Sequence, residues 1–305
     1  MKLGVPRLGI YSNEVKKFLQ DFGLEVIMPS KVTPDIIHDG VMNSSDMMCY
    51  PYKVTLGQQI WCLEHGATDV IMFDAGRLCR FKCYHHLQEI TLRNLGYHFN
   101  MHSFNMRGIL IQLMRLTKAP LWKLIPRIVS TLPGIIEVEN ANYPPSNSAL
   151  RVGLIGEFYT MVEPDINYDI IRKLYQMDVN VHISITLSEY VKNKLSRNRF
   201  ADLAEKKEAK QLMPNDIGGH AFSSLYNTIW YGRHHFDGVI HLLPLSCMPE
   251  STVEVLVDQA ARRYKIPVYR FPIDENNFEA GFNTRLSTFI SMLRRKKKIE
   301  ALSGD

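Results

Sequence analysis

Short apolar runs alternate with longer amphipathic segments along most of the chain, and this alternation restricts the fold more than any other feature. The apolar runs are five or six residues long and lie at Leu24–Met28, Asp69–Phe73, Arg151–Ile155, Val179–Ile183, Gly238–Leu243 and Pro267–Phe271. The segments between them have apolar residues at helical spacing, at about 13–22, 52–65, 84–95, 165–177, 221–234, 250–264 and 281–296. Strands that alternate with helices in this way predict an α/β fold with a parallel, doubly wound sheet.

The chain is long enough for two such units. Its 305 residues are about twice the size of a typical single core. The stretch Glu137–Ser148 is rich in asparagine and proline and is typical of a linker. We therefore predict two α/β lobes, residues 1–145 and 146–305, with the charged segment 197–212 as an exposed helix or lid.

Composition excludes several classes of function. The net charge is +5, and the run Arg294–Lys298 alone supplies five positive charges, so the rest of the chain gives no sign of a nucleic-acid partner. We interpret that run as the solvated end of a helix rather than a binding patch. We expect no secretory leader and no membrane helix, since Arg7 interrupts the first apolar stretch and no apolar run approaches the roughly 18 residues that a membrane helix needs. We expect a cytoplasmic protein with no membrane partner, whose cysteines stay reduced.

The five cysteines are too few for a disulfide framework, and three of them fall in loops before predicted helices. These are Cys49, Cys79 and Cys247; a helix N-terminus stabilises the thiolate form that binds metal. Three thiolates suit a [4Fe–4S] cluster with one open iron, or a zinc site. The alternative is that they are small buried apolar residues, which we expect for Cys62 in the middle of a predicted helix.

A set of motifs in the same order extends over roughly residues 45–295. The motifs are Cys49-Tyr50-Pro51-Tyr52-Lys53-Val54-Thr55-Leu56-Gly57, Cys79-Arg80-Phe81 with Tyr84 and Leu87-Gln88, Val152-Gly153-Leu154-Ile155-Gly156-Glu157, Gly218-Gly219-His220, Asn227-Thr228, Gly238-Val239-Ile240-His241-Leu242, Cys247-Met248-Pro249-Glu250, Ile273-Asp274-Glu275, Glu279-Ala280-Gly281 and Thr284-Arg285-Leu286. In these motifs the chain resembles the 2-hydroxyacyl-CoA dehydratase subunit superfamily, and more closely its branch of acyl-CoA dehydratase activase-related (2-hydroxyglutaryl-CoA dehydratase component-like) proteins.

The resemblance implies two flavodoxin-like (Rossmann-like) lobes with a [4Fe–4S] cluster between them, held by Cys49, Cys79 and Cys247. Cys83 stands where relatives usually have another residue, and it is either an extra ligand or a neighbouring thiol. In the family's dehydratases, a separate ATP-hydrolysing activator injects one low-potential electron into the cluster. The acyl-CoA thioester is reduced to a ketyl radical, water leaves, and the electron is recycled. The chain has no nucleotide-binding motif of its own, so the ATPase would be a partner.

Two departures from the family leave other functions open. Dehydratases pair two different subunits that are longer than this chain, so a second dehydratase-like subunit or a homodimer is expected. The activase-related branch includes proteins whose reaction is not settled. The alternatives to a dehydratase-like lyase are a non-catalytic cluster protein that carries electrons to a separate enzyme, and a cysteine-zinc protein.

Several other side chains are candidates beside the cysteines. Glu157 follows a predicted strand and is either a catalytic base or a helix-capping carboxylate. His220 is a candidate proton donor or a packing residue. The preceding pair Gly218-Gly219 either binds an anion, such as a CoA phosphate, with its amides or provides flexibility. Glu250 is either a first-turn helix charge or a site residue. His85-His86 point about 100° apart on a helix, so the two do not suit one zinc ion.

Overall fold

The structure is a computed structural model that describes residues 1–74, 79–105, 108–144, 146–188, 203–276 and 278–303. It divides into two compact units, Met1–Val138 and Glu139–Asp305. The division falls a few residues before the predicted boundary near 145. We refer to the two units as lobe 1 and lobe 2.

Lobe 1 is built around a four-stranded parallel sheet with strand order β2-β1-β3-β4. Its strands are β1 (Lys2–Gly4), β2 (Glu25–Ile27), β3 (Asp69–Asp74) and β4 (Asn100–Asn105). Its helices are α1 (Ser12–Gln20), α2 (Pro34–Met42), α3 (Tyr50–Glu64), α4 (Tyr84–Asn94), α5 (Ile109–Thr117) and α6 (Leu121–Asn142), with short 3₁₀ turns at Gly9–Tyr11 and Arg80–Cys83. The helix α6 extends into the stretch that the sequence predicts to be a linker.

Helix α3 is buried on nearly all sides, which its sequence explains only in part. Thirteen of its fifteen residues are buried. Its backbone lies directly against that of α2, because Gly57 faces Ile36 and Gly40 faces Lys53. A Cβ atom at either glycine would lie 1.8 Å from the facing carbonyl oxygen, so this packing requires glycine on both helices.

Lobe 2 repeats the architecture of lobe 1, with a second four-stranded parallel sheet in the order β6-β5-β7-β8. Its strands are β5 (Arg151–Gly156), β6 (Asn180–Ile183), β7 (Gly238–Pro244) and β8 (Val268–Ile273). Its described helices, numbered in order, are α7 (Phe158–Val162), α8 (Pro164–Asn167), α9 (Ile170–Gln176), α10 (Leu203–Leu212), α11 (Ala221–Arg233), α12 (Met248–Arg263) and α13 (Glu279–Ser303). The main core of lobe 2 packs α11 and α12 against the sheet through Tyr231, Val253 and Val257.

The predicted fold class, two α/β lobes of the flavodoxin-like type with parallel sheets, is confirmed. One predicted helix is wrong in detail: the segment 165–177 forms two short helices, because Tyr168 and Asp169 adopt left-handed backbone conformations with φ of 58° and 52°. Residues 197–202 of the predicted exposed helix or lid, and the loop residues 75–78 before Cys79, lie outside the described part of the chain. No helix in the described ranges is both long and apolar enough to cross a membrane.

The basic run Arg294–Lys298 lies within α13, and several of its side chains hold lobe 2 together. The Nζ atom of Lys297 donates to both carboxylate oxygens of Asp237 at 2.8 Å. Lys296 donates to the carbonyl of Lys265, and Arg294 donates to that of Met177. The run is therefore an anchoring element of the helix rather than an uncommitted cationic surface.

Candidate functional site

The predicted cluster ligand Cys49 begins helix α3. It occupies the N-cap position with an extended backbone, is followed by Pro51 in the first turn, and is only 6% exposed. Because α3 leads into the start of β3, its first turn lies at the carboxyl edge of the sheet. Amide groups at a helix N-terminus stabilise negative charge, so the position favours a thiolate.

The hydroxyl of Tyr84 lies 2.7 Å from the sulfur of Cys49. Tyr84 is buried, and its ring packs edge-on against that of Tyr52 with centroids 4.7 Å apart. Burial, and then the negative charge of Cys49, raise the pKa of Tyr84 well above its usual range. Tyr84 therefore keeps its proton at neutral pH and is suited to donate it in a hydrogen bond to a Cys49 thiolate.

Tyr84 is fixed in place by the contact between helices α3 and α4. One turn along α4, the fully buried Gln88 donates through Nε2 to the Thr55 hydroxyl at 2.9 Å. This bond joins α3 and α4 about one turn beyond Cys49 and Tyr84, at the start of each helix. The packing of α3 against α4 therefore holds the Tyr84 hydroxyl in position to hydrogen-bond to the Cys49 sulfur.

Cys79 and Cys83 lie at successive helix starts between β3 and α4. Cys79 is the half-buried N-cap residue of the 3₁₀ turn, and Cys83 is the exposed N-cap residue of α4. The next residue after Cys79, Arg80, donates to the Met47 carbonyl at 3.1 Å and so attaches this segment to the loop before Cys49. The pKa of Tyr84, which burial and Cys49 raise most, is lowered slightly by the charge of Arg80 and raised slightly by Cys79.

The third predicted ligand, Cys247, begins α12 in lobe 2 and is 6% exposed. The loop Gly218–His220 packs against this helix start, since a Cβ atom on Gly219 would lie 2.8 Å from the Pro249 ring. Gly219 has a left-handed φ of 55°, so both its backbone and its close contact require glycine. The amide of Gly218 donates to the Asp216 carboxylate at 2.9 Å, which favours the structural interpretation of this glycine pair over anion binding.

His220 is the N-cap residue of α11, and its ring lies 6.1 Å from that of Phe158, centroid to centroid. Phe158 directly follows Glu157, which caps α7. The carboxylate of Glu157 accepts hydrogen bonds from the amides of Tyr159 and Thr160 at 2.9 and 2.8 Å. This geometry matches the capping alternative for Glu157, whereas the catalytic roles of Glu157 and His220 remain predictions.

Glu250 is completely buried and belongs to a polar network that the sequence does not reveal. Its Oε2 atom accepts from the Ser224 hydroxyl at 2.9 Å and lies 2.8 Å from His241 Nε2. Three elements meet here: α11, the middle of β7, and the first turn of α12. Glu250 is therefore not a solvated first-turn charge, and it fixes the helix that begins at Cys247.

The two lobes place these residues at equivalent points of the same topology. Cys79 follows β3 and Cys247 follows β7, which are the third strands of their lobes. Cys49 begins the helix before β3, and His220 begins the helix before β7. In open α/β sheets, ligands bind at this carboxyl edge, so each lobe presents two candidate groups where ligand binding is expected.

The remaining candidates from the sequence are Cys62 and the pair His85-His86. Cys62 is fully buried within α3, its sulfur donates to the Ile27 carbonyl, and burial raises the pKa of its thiol to about 12. It is a core residue, as predicted. The rings of His85 and His86 lie 3.8 Å apart, and burial, followed by the charge of His86, lowers the pKa of His85.

All five cysteines lie in the described part of the chain, and none forms a disulfide. Within the described ranges, no group of three or more His, Cys, Asp or Glu side chains is arranged to hold a metal ion. All three predicted ligands are N-cap residues, a position that favours the thiolate form, and the cluster itself stays a prediction.

In comparisons with known proteins, no family model and no curated protein matches the chain. The family resemblance therefore rests on the sequence motifs and stays a prediction.

Proposed function

We propose that this chain is an iron–sulfur protein that binds a [4Fe–4S] cluster through Cys49, Cys79 and Cys247. The observation that carries the proposal is the common position of the three thiols. Each is the N-cap residue of a helix or 3₁₀ turn, and each precedes a helical segment at the carboxyl edge of a parallel sheet. A cysteine with a purely structural role has no preference for this position. A thiolate ligand does, because a helix N-terminus stabilises its negative charge.

The side chains around Cys49 supply what a thiolate ligand needs. The Tyr84 hydroxyl lies 2.7 Å from the sulfur and can donate to a thiolate there, and Arg80 brings a positive charge to the same loop. When bound, such a cluster supplies one-electron transfer, at a potential set in part by hydrogen bonds to the sulfur atoms. The protein fixes these groups in advance through the packing of α3 against α4.

The sequence resemblance favours a dehydratase-like lyase. In that function, an ATP-hydrolysing activator protein supplies the low-potential electron, and the substrate is an acyl-CoA thioester. His220 is the candidate proton donor, since it begins a helix at the carboxyl edge of the lobe that contains Cys247. Glu157 is the weaker candidate base because its carboxylate already accepts two backbone hydrogen bonds.

A second candidate is an electron carrier for a separate enzyme. Cys49 and Cys247 are both buried, and an enclosed cluster favours electron transfer over direct contact with a substrate. In this function the cluster ligands are the same, and the chain needs no thioester site of its own.

The test is metal analysis of protein purified without oxygen, combined with electron paramagnetic resonance after reduction. We expect a brown protein with about four irons per chain. Serine substitution of Cys49, Cys79 or Cys247 should each remove most of the iron. Cys62→Ala, which changes a core thiol, should retain it. A colourless protein with stoichiometric zinc, or full iron in the three serine variants, would contradict the proposal.

The same preparation tests whether Cys83 is an extra cluster ligand or only a neighbouring thiol. It also distinguishes a catalytic protein from an electron carrier. Cys83→Ser should leave the iron content unchanged if Cys83 is only a neighbouring thiol. Acyl-CoA thioesters added to the reduced protein should perturb the resonance signal of a catalytic cluster. An unchanged signal over a panel of thioesters, with electron transfer to a second protein retained, identifies the carrier.

A further inference from the structure

Acidic residues are absent from a long part of the sequence of lobe 1. No Asp or Glu lies between Glu89 and Glu137. The same stretch contains several basic residues: Arg93, Arg107, Arg115, Lys118, Lys123 and Arg127. The chain as a whole has 31 acidic and 36 basic residues, so its small net charge of +5 conceals one segment in which every formal charge is positive.

The middle of this segment is a turn between two helices that exposes large apolar side chains. Helices α5 and α6 are joined by the three residues Lys118–Pro120. In the first turns of α6, Leu121, Trp122 and Ile125 are 41%, 70% and 48% exposed. Val129 lies one turn further along α6 and is 57% exposed. Several large apolar side chains exposed so close together mark an interaction site.

The cations beside these apolar side chains are not neutralised by the chain itself. Arg115, Lys118 and Lys123 are exposed, and none of them forms an ion pair with any residue that the structure describes. The Nζ atom of Lys123 lies 5.0 Å from the centroid of the exposed Trp122 ring. The turn and the first residues of α6 therefore present free positive charge and apolar surface together.

The other charged side chains of α6 are turned to the rest of lobe 1. Leu124 is fully buried, and Arg127 forms an ion pair with Asp21, just beyond the end of α1. Glu137, at the far end of α6, lines a recess of about 240 Å³ that also contains Glu14 of α1. The nearest carboxylates of the described chain are thus placed toward α1, and none belongs to the turn or to the first turns of α6.

This combination of groups matches the surface of an anionic lipid bilayer. Tryptophan and aliphatic side chains enter the boundary between headgroups and acyl chains, and the long side chains of Lys and Arg reach the lipid phosphates. A nucleic acid would use the cations but not the apolar residues. A second copy of the chain would bring the same three cations together without a carboxylate to neutralise them.

We propose that the turn between α5 and α6 docks on an anionic lipid surface, with Trp122 and Ile125 inserted and Lys118 and Lys123 on the headgroups. The segment would lie on the membrane, since no described helix is long and apolar enough to cross one. This docking uses no cysteine and does not depend on the iron–sulfur function. It departs from the expectation of no membrane partner, which considered only spanning segments and the net charge of the whole chain.

Flotation of the full-length chain with lipid vesicles tests the docking. The wild type should bind vesicles with about 30% phosphatidylserine at least about tenfold more tightly than pure phosphatidylcholine vesicles, and salt should weaken the binding. Lys118→Glu combined with Lys123→Glu should reduce the binding at least about tenfold, since each cation near an anionic surface contributes about fivefold. The matched control is Arg295→Glu combined with Lys298→Glu, which makes the same change of charge at exposed positions of α13. It should stay within about twofold of the wild type.

Trp122→Ala separates insertion from simple attraction of charge. It should reduce binding to the anionic vesicles at least about fivefold, because the indole ring no longer enters the interface. Val255→Ala, at a position 72% exposed on lobe 2, should leave the binding unchanged. No binding of the wild type at about 1 mM anionic lipid would overturn the proposal, and so would equal losses in the two charge-reversed pairs. A chain that ignores vesicles but forms a dimer that Trp122→Ala dissociates would assign the surface to a second copy instead.

Discussion

The Cys49 sulfur is surrounded by groups that stabilise negative charge. It lies at a helix N-terminus, a buried tyrosine hydroxyl is 2.7 Å away, and Arg80 contacts the loop that leads into it. Each of these favours a thiolate, which is the form that binds metal. The contrast with Cys62 is direct, since that thiol is fully buried and burial raises its pKa to about 12.

Tyr84→Phe should retain the cluster but shift its reduction potential to a more negative value. Removal of the hydroxyl leaves the ring packing intact and deletes only the hydrogen bond to Cys49, which stabilises the more negatively charged, reduced state. The measurement is a redox titration monitored by electron paramagnetic resonance. Tyr52→Phe is the matched control, because that hydroxyl bonds to Thr91 and not to the thiol. Equal potentials in the two variants would show that the bond to sulfur has no electronic effect.

Asp69 at the start of β3 predicts a pH dependence of stability in lobe 1. Burial alone would raise the pKa of its carboxyl, but hydrogen bonds from His102, Thr68 and Asn100 outweigh burial and hold the pKa below its ordinary value of 3.8. A lowered pKa stabilises the fold above pH 3.8, and this contribution is lost as the pH falls through the folded-state value. Asp69→Asn should therefore lower the free energy of unfolding by about 1–2 kcal/mol at pH 7.

The loss caused by Asp69→Asn should disappear in acid, where the wild-type carboxyl is protonated as well. Urea unfolding at several pH values measures this difference. Asp46→Asn, at an exposed position, is the control and should change the unfolding free energy little at any pH. A difference between Asp69→Asn and the wild type that stays constant down to pH 2 would show that the hydrogen bonds do not depend on the charge.

The positions of the cysteines at helix starts could be predicted from local sequence, whereas their environment could not. A cysteine that precedes Tyr50-Pro51 or Met248-Pro249 carries the mark of a helix start, because proline favours the first turn. The Tyr84 contact with Cys49 joins residues 35 positions apart, and the network of Glu250 with His241 and Ser224 depends on three elements. Such contacts arise from tertiary packing and leave no signal in the residues next to them in the sequence.

At the scale of secondary structure, long periodic segments were predictable and short or polar ones were not. The strand β1 has only three residues, and the edge strand β4 is largely polar, so neither has an apolar run. The helix α2 did carry a local signal, since Thr33 caps it through the Ile36 amide and Pro34 occupies its first turn. Tertiary pairing supplies the rest of the energy for these elements.

The contact between α2 and α3 predicts a large effect of one methyl group. Gly57→Ala would place a Cβ atom 1.8 Å from the Ile36 carbonyl oxygen, so the helices would have to separate. We expect a loss of about 2–3 kcal/mol in the free energy of unfolding, typical of overpacking against backbone. Because α3 begins at Cys49, iron content should fall as well.

The matched control for the close helix contact is Gly281→Ala in α13. A Cβ atom at Gly281 meets nothing within 4 Å. This substitution should be neutral or stabilise by up to about 1 kcal/mol, as alanine does in an open helical position. If both substitutions had the same effect, helix propensity rather than the close packing would govern the response at Gly57.

At the scale of the whole molecule, the sequence predicted two lobes of one class, and the structure adds that their topology is the same. The alternation of strands and helices was sufficient for the fold, because parallel sheets need a covering helix between successive strands. The equivalence of Cys49 with His220 was not visible, since it requires the strand order of both sheets. The net charge of +5 likewise indicates a structural role only when the contacts of the individual Lys and Arg side chains are known.

The C-terminal basic run Arg294–Lys298 has a structural role that composition alone leaves ambiguous. Lys297 connects α13 to the base of the second sheet through Asp237, whose Oδ2 also accepts from the Arg151 amide at 2.7 Å. Lys297→Ala should lower the free energy of unfolding of lobe 2 by about 0.5–1 kcal/mol, the value of a partly exposed ion pair. Lys298→Ala, at the exposed neighbouring position, should change it by less than about 0.3 kcal/mol. Equal losses measured by urea unfolding would mean that the run acts through its total charge, and the anchoring role of Lys297 would have to be abandoned.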